Sequence, residues 1–266
     1  MRHSIELSIV GPKGGDRKER LEQFLRKLQD PLYLPEFQEA QAHLTDSAEI
    51  AGNISTWHKF FDTHHIHEIW TKEYMRAFGN YLARRTKELG GTEKKPVVIL
   101  EAGAGDGRLT HFLEEEMGKI IPRKFKLFAC DSGETETPIP HKFPVEAISH
   151  REALQKYKPQ IVIFSWMPMG YDCTDDFRAT SSVQEYILIG QSGSGSNCGD
   201  DWKTWGIRNS NENLKIHILP NEPTPYETDG FEYIYQGDLS ELQLDRMNVE
   251  TGGRSTSSTI SFKRKK

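Results

Sequence analysis

Residues 97–116 read VVILEAGAGDGRLTHFLEEE, and the change of pattern inside this stretch decides the fold. Val97 to Leu100 make a short apolar, β-branched run with the length of a buried strand. From about Arg108 to Met117 the apolar residues recur at helical spacing instead. Between the two lie Gly103, Gly105 and Gly107, with the acids Glu101 and Asp106 among them. Glycine is a costly choice at the mouth of a strand, so three of them imply that something approaches the backbone closely.

Downstream, strand and helix signals keep alternating. KFKLFACD (124–131) reads as a second strand and FPVEAI (143–148) as a third, followed by a helical HREALQKY. PQIVIFSW (159–166) and QEYILIG (184–190) are the fourth and fifth. Continuous apolar runs alternating with helices predict a parallel sheet covered on both faces. LKIHIL (214–219), FEYIYQ (231–236) and STISFKR (258–264) are further strand candidates, and a sheet finishing with an antiparallel pair accommodates them. GQSGSGSNCGDD (190–201) is Gly/Ser-rich and reads as a flexible loop.

Upstream of LGGTEKKP (89–96) the chain reads helical. DRKERLEQFLRKLQD places Leu21, Phe24, Leu25 and Leu28 on one stripe, stopped by Pro31. In HIHEIWTKEYMRAFGNYLARRTKEL, Ile66, Ile69, Trp70, Tyr74, Phe78, Tyr81 and Leu82 recur at three- and four-residue steps, predicting a helix across the whole run. On that helix His64 and His67 lie one turn apart, a spacing seen in metal sites, but no third ligand cluster is near in sequence. No metal is expected, and this aromatic helix reads better as a lid. The domain division is therefore 1–94, a helical cap, and 95–266, an α/β core.

The turn itself separates cofactor classes. A dinucleotide site wants G-x-G-x-x-G, with pyrophosphate on the helix N-terminus. Here the spacing is G-A-G-D-G, and Asp106 carries negative charge where phosphates would lie. Such a turn suits a ligand bearing an ammonium or sulfonium.

EAGAGDG (101–107) resembles the (Asp/Glu)-x-Gly-x-Gly-x-Gly motif of class I S-adenosylmethionine-dependent methyltransferases, a seven-stranded, Rossmann-like family. The resemblance implies a doubly wound, mostly parallel α/β sheet with an N-terminal helical segment. It implies S-adenosylmethionine as cofactor, with Glu101 holding its ammonium and Gly103, Ala104 and Gly105 in backbone contact. Asp131, ending the second strand in LFACDSG, would accept hydrogen bonds from the ribose hydroxyls, with Ser132 beside it. Ser149 or His150 would lie near the adenine edge. At the end of the fourth strand, FSWMPMGYDCTDDF would place Ser165 and Trp166 beside the transferred methyl, with Tyr171 on the following loop. Family members that methylate amino groups of nucleobases and glutamine often carry Asp/Asn-Pro-Pro-aromatic there, whereas this chain has Ser165-Trp166-Met167-Pro168. Tyr171, Asp172, Asp175 and Asp176 form an acidic, aromatic lip that favours an amine-bearing acceptor. Trp202 and Trp205 either close the pocket from the other side or anchor the loop.

Composition bounds the rest. The 266 residues are 36% hydrophobic and 27% charged, enough for a large core without staples. A net charge of -5 argues against nucleic acid as the acceptor, although GKIIPRKFK and FKRKK are locally basic. A small molecule or a protein side chain is expected. Three widely spaced cysteines suit a reducing compartment, and no apolar run reaches membrane-spanning length. The expected location is cytoplasmic, with a nuclear address left open by FKRKK. A dinucleotide-dependent oxidoreductase and a catalytically inactive methyltransferase-like binding module are the alternatives.

Overall fold

The computed structural model describes residues 14–49, 61–134, 139–192, 198–207, 222–245 and 257–266. Its centre is a six-stranded sheet of β1 (Val97–Ala102), β2 (Phe125–Cys130), β3 (Ile161–Ser165), β4 (Glu185–Gln191), β5 (Phe231–Tyr235) and β6 (Ser257–Arg264). The strand order is β2-β1-β3-β4-β6-β5. The first four strands are parallel, with Ile99 beside both Leu127 and Ile161. β6 runs antiparallel between β4 and β5. This is the doubly wound, mostly parallel sheet that the sequence implies, closed by the expected antiparallel element.

Both faces are covered, as the continuous apolar strands require. On one face Ile99, Ile163, Ile187 and Ile189 pack against two long helices, α3 (Lys72–Glu88) and α4 (Arg108–Ile120). Tyr74, Phe78 and Leu82 of the predicted stripe are all buried there. On the other face Leu100, Val162 and Leu188 pack against α5 (His150–Tyr157) and α6 (Thr174–Ala179), through Leu154 and Phe177. Two short helices, α7 (Pro225–Thr228) and α8 (Gly237–Ser240), flank β5. α1 (Gly14–Leu28) and α2 (Phe37–Glu49) build a third cluster, in which Leu21, Phe24 and Leu28 meet Ala40, Leu44, Phe61, Ile69 and Leu244.

Two expectations are corrected. FPVEAI is not a strand: it contributes one isolated parallel bridge, Cys130 to Glu146, and the sheet of the described residues has six strands. Lys142 and Phe143 instead donate their backbone N–H groups to the Asp106 carbonyl, drawing this segment onto the glycine turn. The run from His65 to Trp70 is not helical either. The helix begins only at Lys72, capped by Thr71, whose hydroxyl oxygen accepts from the Tyr74 N–H at 3.2 Å. The residues before it lie extended, with Ile69 N–H donating to the Leu244 carbonyl at 2.7 Å and Glu68 bridging Asp245. LKIHIL, and part of the Gly/Ser-rich loop, lie outside the described residues. No helix among the described residues is long and apolar enough to cross a membrane.

Candidate cofactor and acceptor site

A cavity of about 830 Å³ opens at the carboxyl ends of β1, β2 and β3. That size falls within the range of small-molecule and cofactor sites. It gathers Glu101, Gly103, Ala104, Gly105, Asp131, Ser132, His150, Ser165, Trp166 and Tyr171 along one wall or another. Ser149 does not line it. Its hydroxyl accepts from the Glu152 N–H while the Glu152 carboxylate accepts back from Ser149, a reciprocal cap that starts α5.

The glycine turn is held from below. Gly103 sits at φ +66, and a Cβ there would come within 2.4 Å of the Phe164 ring. Its missing side chain therefore serves the packing of β3 under the turn rather than the approach of a ligand. Gly105, at φ +54, has only Ile139 near its absent Cβ among the described residues, at 3.3 Å, and faces the cavity. Gly103→Ala combines left-handed strain with a clash, and a loss of about 2–5 kcal/mol in urea unfolding is expected. A loss below about 1 kcal/mol would mean that the Phe164 ring moves aside at little cost.

Asp131 orders the same turn. One carboxylate oxygen accepts from the Gly105 N–H and the other from the Gly133 N–H, both at 2.9 Å. Each oxygen retains lone-pair capacity for a ligand hydroxyl. Glu101, only 2% exposed, projects from β1 onto the first turns of α4, where its Oε2 accepts from Thr110 N–H and the Thr110 hydroxyl. Burial pushes its carboxyl up to about 8, against the pull of the Thr110 bonds. Asp106 lies beside Arg108 at 3.4 Å, and Arg108 also donates to the Leu28 carbonyl, tying α1 to the rim.

The segment that the sequence reads as a lid contributes to the cavity lining, though not as a helix. His65, His67, Glu68 and Trp70 reach it from the extended strap before α3. Glu68 is 5% exposed; its Oε2 accepts from the Trp166 indole N–H at 3.0 Å and its Oε1 from the Ser257 hydroxyl at 3.2 Å. Trp166 follows β3 directly, at φ +54, and its ring stacks on His67 with centroids 5.7 Å apart. A bulky residue in the left-handed region is strained, and such strain tends to gather at functional sites. The only signal for Glu68 in the sequence is an acid inside an apolar, aromatic run.

The acidic lip dissolves on inspection of its partners. Asp172 accepts from the hydroxyls of Thr174 and Thr204, and Asp176 from His150 and Arg151. None of Asp172, Asp175 and Asp176 lines the cavity. Its rim is apolar instead, with Met169 73% and Tyr171 47% exposed. Trp205 anchors its loop, donating its indole N–H to the Cys198 carbonyl at 2.7 Å, away from the cavity. No group of three His, Cys, Asp or Glu among the described residues is arranged to hold a metal.

The lining is rich in carboxyl groups, from Glu68, Glu101, Asp106, Asp131 and Glu134, against Arg108 as its one permanent cation among the described residues. An amino acid or sulfonium moiety fits that balance. A pyrophosphate does not.

No protein-family profile matches this chain, and no curated protein matches it. Among solved structures, the plantazolicin methyltransferase BpumL in complex with S-adenosylhomocysteine (SAH) is 11% identical, with a TM-score of 0.35 over 94% of this chain and 100% of that one. The same enzyme with a triazolic desmethylPZN analog and SAH is 10% identical, with a TM-score of 0.38 over 91% and 99%. A protein from Listeria monocytogenes, described as an S-adenosylmethionine-dependent methyltransferase, is 13% identical, with a TM-score of 0.33 over 71% and 100%. These are loose overlaps; the chemistry of the site is read from this chain's own residues.

Proposed function

We propose that this protein is an S-adenosylmethionine-dependent methyltransferase acting on a small-molecule or protein acceptor, most naturally an amine. The observation that carries the reading is the meeting, in one acid-rich cavity, of the Gly105 turn with Glu101 and Asp131. Asp131 would accept the ribose hydroxyls with Ser132 beside it, Glu101 would face the ammonium, and the backbone from Gly103 to Gly105 would lie along the methionine portion. His150 would border the adenine, fixed by Asp176 at 2.7 Å. Bound there, the cofactor supplies a methyl group already activated on a sulfonium. The chain's task is then to orient an acceptor at Ser165 and Trp166, under Tyr171, and to keep water out. Residues 1–94 would form the cap over the 95–266 core, which agrees with His65, His67 and Glu68 lining the cavity. Three buried free cysteines fit a reducing, cytoplasmic location.

Calorimetric titration with SAH, and separately with oxidised and reduced nicotinamide dinucleotides, tests the reading. Micromolar SAH binding with no dinucleotide binding is expected, and dinucleotide binding alone would sink it. The titration should also be linked to protons. Glu101, pushed up to about 8, is largely protonated at neutral pH, and an arriving ammonium favours its ionised form. Binding at about pH 7 should therefore release close to one proton. Heats measured in phosphate and in Tris should differ accordingly, and Glu101→Gln should remove the difference. Identical wild-type heats in the two buffers would take the ammonium away from Glu101.

A further inference from the structure

We infer that Glu68 is the proton acceptor for an amine substrate carried on an aromatic or apolar skeleton, seated between the Trp166 indole and the Met169–Tyr171 rim. The inference rests on the methyl-transfer reading above and adds to it the acceptor class and the residue that prepares the nucleophile.

Glu68 is almost fully buried, yet it lines the cavity where β3 ends. Its hydrogen-bond donors, Trp166 and Ser257, are neutral, and the Gln243 amide donates in turn to Ser257. Its charged neighbour is another acid, Asp245, itself fully buried and paired to Glu68 across a bridge. The other titratable groups around it are Tyr74 on α3, Cys198 on the loop after β4, and His67, which stacks on Trp166. Among the described residues no lysine or arginine stands against Glu68. Burial, with Asp245 adding to it, pushes Glu68 up to about 8.

Among the described residues this buried acid has no cation beside it, and the cavity is the side from which one can come. A substrate ammonium group supplies it. The exposed Met169 and Tyr171 offer apolar surface to the rest of such a molecule, and an indole face favours a cation beside it. Pinned by Glu68 and strained at its backbone, Trp166 is held ready for that contact.

The chemistry balances without a further reactant. The bound ammonium passes one N–H proton to the Glu68 carboxylate, which becomes a neutral acid. The freed lone pair forms the nitrogen–carbon bond as the sulfur–carbon bond breaks, and the electrons of that bond stay on sulfur as a thioether. The methylated nitrogen leaves as an ammonium, and the Glu68 proton returns to solvent. A carboxyl titrating near working pH suits this role better than an ordinary one, being the stronger base.

The test uses phenethylamine as probe and 2-phenylethanol as its neutral counterpart, each titrated into SAH-saturated protein. The amine should bind and the alcohol should not compete. Glu68→Gln should weaken the amine by about thirtyfold while leaving SAH affinity unchanged, which also shows that the variant is folded. The Trp166 indole N–H resonance, assigned with Trp166→Phe, should titrate near 8 in the wild type and stay flat in E68Q. Equal amine binding by wild type and E68Q, absence of amine selectivity, or an indole signal flat from about pH 6 to about pH 10 overturns the assignment. Failure of the wild type to bind SAH overturns the methyl-transfer reading and this inference with it; SAH binding without amine selectivity overturns the inference alone.

Discussion

Asp131→Ala is expected to weaken SAH binding by about a hundredfold or more, because in the proposed pose two ribose hydroxyl bonds to a charged acceptor would be lost at ~1.5–3 kcal/mol each. The structure raises the expected cost above that of the ribose alone. Both oxygens of Asp131 already hold backbone N–H groups, that of Gly105 in the glycine turn and that of Gly133 in the loop beyond β2. Alanine releases Gly105 from its anchor, so the turn loses order before any ligand arrives. Asp131→Asn keeps one acceptor oxygen and should fall between the two proteins. Titration calorimetry on the three proteins decides it. A change smaller than about threefold in the alanine variant would remove Asp131 from the ribose position altogether.

Arg85→Ala is expected to cost about 3–5 kcal/mol in chemical denaturation, the largest stability loss predicted for a residue far from the cavity. Glu185, the first residue of β4, is fully buried at the end of the sheet opposite the site. Its carboxylate accepts from Arg85 Nε at 2.5 Å, from the Ser261 hydroxyl at 2.6 Å and from the Tyr81 hydroxyl. Removing the guanidinium strands a buried charge with neutral donors only. The double replacement Arg85→Met with Glu185→Leu removes both charges, and should recover most of the loss. If Arg85→Ala alone costs less than about 1 kcal/mol, solvent reaches Glu185 and the pair is not a structural cross-link between α3 and the sheet.

Much of this architecture is legible along the chain for a local reason. Apolar runs such as VVIL and IVIF are buried on both faces, so composition alone marks them as parallel strands. The α1 stripe of Leu21, Phe24 and Leu28 likewise reports its own burial. Where the reading of 65–70 as helix fails, the apolar spacing of Ile66, Ile69 and Trp70 continues that of α3 by coincidence. In the structure Thr71 caps the helix at Lys72, and tertiary pairing of Ile69 with Leu244 holds the preceding residues extended. FPVEAI fails for the opposite reason: its strand composition is real, but its backbone is drawn onto Asp106, leaving a single bridge to β2.

The sequence by itself determined the six strands of the sheet, the helices α1, α4 and α5, most of α3, and the glycine turn with Glu101 and Asp131, since each is written in residues close to one another in the chain. Only the tertiary structure decided that Gly103 makes room for Phe164, that Asp172 turns to the hydroxyls of Thr174 and Thr204, and that Glu68 meets Trp166, Asp245 and Ser257. The three contacts of Glu68 join residues about a hundred or more positions apart, and the others cross from one element to another. Their chemistry comes from burial and from neighbours that no local pattern of the chain encodes.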